Sequence, residues 1–239
     1  MPSATSSACE NTMTDDSRTK FHQELANGLH AMAQPLTMLR AAIEVLALPQ
    51  SAGIDRQRYL EISASAVDRT CNVFSRVQDL VAVTSIEAQR VRFDLWNAIR
   101  PAIEDRSRLL DASGVAIAAA KEEAWEPVVG DAGRAEQAVA VVLQMAGDLS
   151  SRGDVIEVSG RAGHGFVELT IENTRRHGKR IDSTARLSLA LAEASVASQH
   201  GQCEFREDPF RFLLKLPVED LDRSGNEPVL TYWEPEHLH

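Results

Sequence analysis

Apolar residues recur every three or four positions in two long stretches near the start of the chain. The first stretch carries Phe21, Leu25, Leu29, Met32, Leu36, Leu39, Ile43 and Leu46, and the second carries Leu60, Ser63, Val67, Thr70, Phe74, Val77 and Val81. Steps of three and four place side chains along one side of a helix. Pro49, Ser51 and Gly53 separate the stretches and favour a short turn. The pattern predicts an antiparallel helical hairpin over residues 19–88, with helices of about 28 to 32 residues.

A hairpin of this length buries little apolar surface by itself. Two copies related by a two-fold axis would bury both apolar seams inside a four-helix bundle. The sequence therefore predicts a homodimer.

The pattern changes after about residue 89. Alternating and helical segments follow one another, and we predict strands at 90–92, 115–120, 154–161, 166–172, 203–206 and 210–216, with helices at 93–111, 132–149 and 183–199. Asp131 is a good N-cap for the second of these helices. This order predicts a mixed sheet with helices packed on one face, so residues 89–218 form an α/β sandwich. The fold class is thus α plus α/β.

The composition limits which binding partners and which cellular compartment we expect for this protein. The formal net charge of -10 argues against non-specific binding to nucleic acid. Cys9, Cys71 and Cys203 are odd in number and far apart, which is typical of reduced thiols and excludes a disulfide framework or a CxxC zinc site. The sequence has no signal peptide and no apolar run of the roughly 20 residues that span a bilayer. We expect a cytoplasmic protein with no nucleic acid or membrane partner, with a disordered tail at 1–18 and a loose tail at 219–239.

One histidine has an unusual setting. His30 lies beside the seam residue Leu29, on the flank of the first helix, and Pro35 follows five residues later. A proline in a helix interior costs about 3 kcal/mol. An isolated histidine on a helix flank is most often a solvated surface residue, but the nearby proline and the dimerising seam favour a functional one.

The segment from His30 to Leu36 resembles the phospho-acceptor box of sensor histidine kinases, whose pattern is His, acid, x, x, Thr/Asn/Gln, Pro, Leu. His30, Gln34, Pro35 and Leu36 match this pattern, whereas Ala31 stands at the acidic position. The resemblance implies that His30 accepts a phosphoryl group. Loss of the acid puts attack on ATP and phosphatase activity in doubt. It affects phosphotransfer with a receiver aspartate less, because the receiver supplies the metal and the acidic residues.

A docking surface for receivers is expected around His30. In an antiparallel hairpin, residues equally far from the turn lie side by side. With the turn near residue 50, position 30 is expected opposite about position 70. The expected docking residues are Gln34, Thr37, Arg40 and Ala41 on the first helix and Thr70, Cys71 and Phe74 on the second.

The second half resembles the ATP-binding domain of the same kinases, with four departures from its pattern. Met145 stands where the family has a magnesium-binding Asn, and residues 171–176 lack the glycines of the adenine-binding box. Arg186 and Ser188 replace glycines of the last box, which let backbone N–H groups approach phosphate. About ten residues follow Glu172 before the next helix, too few for the family's ATP lid. These departures imply that ATP is not bound, that no cofactor or metal is held, and that magnesium comes from the partner receiver.

The leading hypothesis is a histidine phosphotransfer protein that relays a phosphoryl group between receiver-domain aspartates of response regulators, with a hybrid kinase among the candidate donors. The alternatives are a divergent active histidine kinase, a non-catalytic adaptor that binds a response regulator, and a helical dimer joined to an unrelated α/β domain.

Overall fold

The computed structural model describes residues 15–48, 55–121, 125–163, 165–173, 175 and 181–218. It divides into two compact units. The hairpin unit comprises residues up to Ser85 together with Lys179–Leu191, and the sheet unit comprises Ile86–Gly178 and the residues from Ala192 onwards. Residues 1–14 and 219–239, where we predicted most of the two tails, lie outside the described residues.

Two long helices form the predicted antiparallel hairpin. Helix α1 spans Asp15–Leu46 and continues through Pro35, and α2 spans Arg56–Ser85. Their lengths of 32 and 30 residues agree with the prediction. Helix α1 begins within the segment that we predicted as a tail, so residues 15–18 are helical. The side chain of Asp55 accepts the Arg58 backbone N–H at 3.2 Å, which helps to begin α2.

The apolar seams are only half covered within one chain. Consecutive seam positions alternate between two rows on each helix, and positions seven residues apart belong to the same row. One row is half-buried, at Leu25, Met32, Leu39 and Leu46 in α1 and at Ser63, Thr70 and Val77 in α2. The other row is exposed, at Leu29, Leu36 and Ile43 in α1 and at Leu60, Val67, Phe74 and Val81 in α2. We call this second row the exposed stripe.

Small residues bring the two helices together. The buried positions of the hairpin include Gly28, Ala31, Pro35 and Ala42 of α1 and Ala66, Val73, Leu80 and Val83 of α2. They lie beside the larger seam residues from which the hairpin was predicted. The periodicity of large apolar residues therefore predicted the correct side of each helix. It did not predict the neighbouring row of buried, mostly small residues.

The sheet unit alternates strands and helices. In chain order the elements are β1 Val91–Phe93, α3 Leu95–Asp111, β2 Ala116–Lys121, β3 Val128–Gly130, α4 Ala132–Leu149, β4 Val155–Ala162, β5 Phe166–Asn173, α5 Ser183–Ala197, β6 Gln202–Arg206 and β7 Arg211–Pro217. The five-stranded sheet has the order β2-β4-β5-β7-β6, and only the β2–β4 pair is parallel. This confirms the predicted α/β sandwich with a mixed sheet. Helix α5 contributes Ser183–Leu191 to the hairpin unit and its last turns to the sheet unit.

Helix boundaries in the sheet unit follow their capping residues. Asp131 accepts the Arg134 backbone N–H at 3.2 Å and begins α4 where the sequence predicted. Strand β3 was not predicted, since its three residues are all buried and show no alternation of apolar and polar side chains. It pairs antiparallel with β1, which joins Phe93 to Val128 across a two-stranded ribbon. None of the described helices is both long and apolar enough to cross a membrane.

One face of the five-stranded sheet is apolar and buried, and the other is polar. A row of charges crosses three strands on the polar face, where Glu168 of β5 lies 2.6 Å from Arg161 and 3.3 Å from Lys215. Partial burial by itself raises the pKa of Glu168, but the contacts with Arg161 and Lys215 outweigh this and hold the pKa below its ordinary value. Glu168 therefore stabilises the fold in its ionised form.

Replacing Glu168 with glutamine is expected to lower the free energy of unfolding by about 0.5–1 kcal/mol at pH 7. A lowered pKa in the folded state means that this contribution is present above the pKa of the unfolded chain and is lost on acidification. The difference between wild type and variant should therefore shrink as the pH falls below about 4.3. Urea unfolding of both proteins at pH 7 and at pH 3.5 measures this difference in the free energy of unfolding. Glu204→Gln, opposite the apolar Leu213, is the control and should change little.

Candidate functional site

His30 is exposed on the outer side of α1. Gln34, Thr37 and Ala41 follow it by four, seven and eleven residues, so they share its helix face, and all three are exposed. The Thr37 hydroxyl donates to the Ala33 carbonyl at 2.8 Å. Among the predicted docking residues, these three are the ones that the helix places beside His30.

Ala31 and Pro35 lie on the buried side of α1, about 100° and 140° around the helix axis from His30. Ala31 is 6% exposed, and Pro35 is buried. Because position 31 faces the interior, an acidic side chain there would have to be desolvated, which costs several kcal/mol without a partner. The packing of this chain therefore favours a small residue next to the histidine.

The register of the hairpin differs from the prediction. A Cβ atom at Gly28 would lie 2.7 Å from Cγ2 of Val77, so these two residues are at one level. His30, two residues further along α1, is then level with about Ser75 and not with Thr70. The prediction was wrong by roughly five residues, about 7 Å along the helix, because equal helix lengths on each side of the turn do not determine how the helices interlock.

The other predicted docking residues do not share the helix face of His30. Arg40 is exposed and pairs with Glu44 at 2.9 Å. Thr70 is half-buried and donates to the Ala66 carbonyl at 2.8 Å, whereas Cys71 is exposed. Phe74 is 50% exposed and belongs to the exposed stripe.

A groove runs between α1 and α2 beyond these residues. It has a volume of about 330 Å³ and is lined by Met38, Arg58, Glu61, Ile62, Ser65, Ala66 and Arg69. None of these residues was predicted as a site residue. His30, Gln34 and Met38 follow one another at intervals of four residues. They therefore form a continuous ridge along α1 from the histidine to the groove.

A buried polar cluster closes the end of β5 in the sheet unit. The Asn173 side chain donates to the Ser150 hydroxyl at 2.9 Å, and its Oδ1 accepts the Arg175 backbone N–H at 3.1 Å. Arg175 also contacts the carboxylate of Asp154 at 3.1 Å, and Asp154 is 2% exposed. The polar groups at this strand end are thus bound to one another.

Solved histidine kinase structures resemble this chain. Histidine kinase AdeS of Acinetobacter baumannii matches 80% of this chain and 98% of its own at 16% identity, with a TM-score of 0.65. Histidine kinase ThkA, solved with response regulator protein TrrA, matches 88% of this chain and 68% of its own at 13% identity, with a TM-score of 0.64. Full-length ShkA, solved with AMPPNP, matches 82% of this chain and 45% of its own at 16% identity, with a TM-score of 0.54.

The chain has the fold of a sensor histidine kinase core. The hairpin corresponds to the dimerisation and phospho-acceptor part of that fold, and the sheet unit corresponds to the ATP-binding part. No protein-family model matches the sequence, and no curated protein matches it.

Met145 and Ser188, at which we expected departures from the ATP-binding pattern, have buried side chains. Met145 is 2% exposed in the interior of the sheet unit, where a thioether offers magnesium no oxygen ligand. Ser188 is 1% exposed, and its hydroxyl donates to the Thr184 carbonyl at 3.0 Å. Residues 174 and 176–180, where we predicted too short a lid, lie outside the described residues. In the described part of the chain no group of His, Cys, Asp and Glu side chains could hold a metal ion.

Proposed function

We propose that this protein is a dimeric, cytoplasmic histidine phosphotransfer protein of a two-component phosphorelay. The observation that carries the proposal is His30, exposed at the end of a ridge that leads into an open groove, on the hairpin of a histidine kinase fold. A receiver domain could reach the imidazole there without any movement of the hairpin. Its partners are receiver domains of response regulators, with a hybrid kinase among the donors.

The proposed reaction is a reversible transfer between aspartate and histidine. An unprotonated ring nitrogen of His30 attacks the phosphorus of an aspartyl phosphate on the donor receiver. A P–N bond forms while the P–O bond breaks, and the donor aspartate leaves as a carboxylate. A second receiver then accepts the phosphoryl group from His30 by the reverse step. Magnesium on the receiver neutralises the phosphoryl charge, so this chain supplies the nucleophile and the docking surface.

The exposed stripe supports the proposed homodimer. Its seven side chains are apolar and lie at seven-residue intervals along both helices. A contiguous apolar surface of this kind marks an interface. A second copy would bury it by completing a four-helix bundle, whose core draws on both rows of each seam. His30 is exposed and lies about 100° around α1 from its neighbour Leu29 in the stripe, so dimerisation through the stripe leaves it accessible.

Loss of ATP binding is part of the proposal. The buried Met145, the amide of Asn173 held by Ser150 and Arg175, and the buried Ala31 beside His30 support it. By the resemblance, Met145 stands at a magnesium ligand and Ala31 at the acid that activates the histidine, and Asn173 lies in the stretch that lacks the glycines of the adenine-binding box. A relay protein needs none of these groups, because the phosphoryl donor brings its own acid site.

A paired labelling experiment tests the proposal. Purified protein is incubated with radiolabelled ATP and magnesium, or with receiver domains from the same genome that carry labelled aspartyl phosphate. We expect label from at least one receiver and none from ATP, with no heat of nucleotide binding by calorimetry. Label from ATP would instead identify an active kinase. Stable binding of a receiver without any transfer would identify an adaptor.

A further inference from the structure

The two edges of the five-stranded sheet differ in charge. Strand β6 forms one edge and carries the exposed, charged side chains of Glu204 and Arg206. Charged residues on an edge strand hinder its pairing with a further strand. Strand β2 forms the other edge, and its sequence, Ala-Ile-Ala-Ala-Ala-Lys, has no charge before its last residue. The edge at β2 therefore lacks the charges that protect β6.

The backbone of β2 offers hydrogen-bonding groups along this edge. The Ala116 N–H donates to the Asp154 carbonyl at 3.0 Å, so the peptide groups of Ala116 face β4. Successive residues of a strand direct these groups to opposite sides. The N–H and C=O groups of Ile117 and Ala119 therefore point away from β4. In the part of the chain that the structure describes, no strand pairs with this side of β2.

One short segment that follows β7 in the sequence has the composition of a strand. Residues 229–234 read Val-Leu-Thr-Tyr-Trp-Glu and lie outside the described residues. Aromatic and β-branched residues favour strands. Pro228 and Pro235 flank the segment, and proline cannot donate to a sheet ladder, so the stretch between them has six residues. This is also the length of β2. We call residues 229–234 the tail segment.

The direction of the strands brings the chain back towards β2. Strands β2 and β4 are parallel, whereas β4–β5 and β5–β7 are antiparallel, so β2 and β7 run the same way. After β7 the Val218 N–H donates to the Gly165 carbonyl at 2.9 Å, beside the turn between β4 and β5. The chain thus leaves the sheet at the end where β2 also ends. A segment that turns back from there runs antiparallel to β2, and an antiparallel neighbour needs no crossover connection.

The connecting residues are long enough for this path. A strand beside β2 would lie four strand spacings of about 4.8 Å from β7, about 19 Å in all. The register across the sheet puts the end of β2 level with Leu214, four residues before Val218, which adds about 14 Å along the strands. The straight distance is then about 24 Å, and the ten residues 219–228 span about 33 Å when extended.

The connecting residues also suit the path in charge and in turn chemistry. Four of the ten are acidic and one is basic, namely Glu219, Asp220, Asp222, Glu227 and Arg223. Their path passes the end of β4, where the side chain of Arg161 is 77% exposed, and opposite charges attract there. Ser224, Gly225 and Asn226 follow, and residues of these types favour turns.

We propose that the tail segment forms a sixth strand, antiparallel to β2, on the sheet of its own chain. The outward N–H and C=O groups of Ile117 and Ala119 exchange hydrogen bonds with its backbone. This pairing covers an uncharged edge that is otherwise a template for association with other chains. The inference concerns the sheet unit alone and does not depend on the proposed phosphotransfer.

The test is hydrogen–deuterium exchange of the full-length protein, followed by mass spectrometry of peptides that cover β2 and the tail segment. The comparison variant is Thr231→Pro together with Tyr232→Pro. Alternate residues of a strand face its neighbour, so one of these two N–H groups must face β2. We expect the outward amides of β2 to exchange about ten-fold faster in the variant than in the wild type. Leu221→Pro with Asp222→Pro, in the connecting residues, is the matched control and should leave exchange at β2 unchanged.

A second variant tests the same pairing from the side of β2. Proline is tolerated on an edge strand where its missing N–H faces outwards. Ala119→Pro should therefore keep the pairing with β4 and raise the exchange rate of the tail segment to that of an unpaired chain. Equal exchange at β2 in the wild type and in the double-proline tail variant would overturn the proposal. Protection of β2 that falls on dilution would mean that another molecule covers the edge, and it would overturn pairing within one chain.

Discussion

His30→Ala is expected to reduce label transfer from a phosphorylated receiver to background, a loss of about three orders of magnitude or more. Alanine has no nitrogen that can form the P–N bond, and the helix around position 30 should be undisturbed, because an exposed side chain is removed and alanine is the best helix former. The measurement is label retained on the protein after gel separation. A phosphoramidate should also lose its label in acid and keep it in alkali.

The control for this substitution is His22→Ala. His22 is also exposed, lies in the same helix, and precedes His30 by eight residues. It should accept no label, so its replacement should leave the rate of transfer unchanged. Labelling that survives His30→Ala would mean that another group accepts the phosphoryl, and the proposed relay would be wrong.

A second large effect is expected when charge is placed on the exposed stripe. In a dimer, Leu36→Glu together with Phe74→Glu would bury four unpaired carboxylates, two from each chain. Each costs several kcal/mol in an apolar interface. Light scattering should then give the mass of one 26.2 kDa chain, where the wild type gives twice this mass.

Leu109→Glu is the matched control for the stripe. Leu109 of α3 is 60% exposed, similar to the stripe residues, but it lies in the sheet unit. This substitution should leave the dimer intact. A wild type that is monomeric at micromolar concentration, or a dimer that survives both charges, would contradict the proposed bundle.

Local patterns were sufficient for most of the elements. The seam from Leu25 to Leu46 predicted α1 because side chains three and four residues apart meet on one helix face. Asp131 predicted the start of α4 because a cap acts on the backbone only three residues away. Strand β3 was missed because its three residues are held by β1, which lies far away in the sequence.

The sequence by itself determined that His30 lies on a helix beside an apolar seam. Through the resemblance to histidine kinases it also predicted that Ala31 stands at an acidic position and Met145 at the position of a magnesium ligand. These are properties of single positions and of spacings below eight residues. Only the tertiary structure decided that His30 is level with about Ser75, that Phe74 lies on the exposed stripe, and that Arg76 holds the start of α5. The reason is physical, because the register of two helices depends on how their small residues interlock. An arginine can reach a hydroxyl 112 residues away only after the chain has folded.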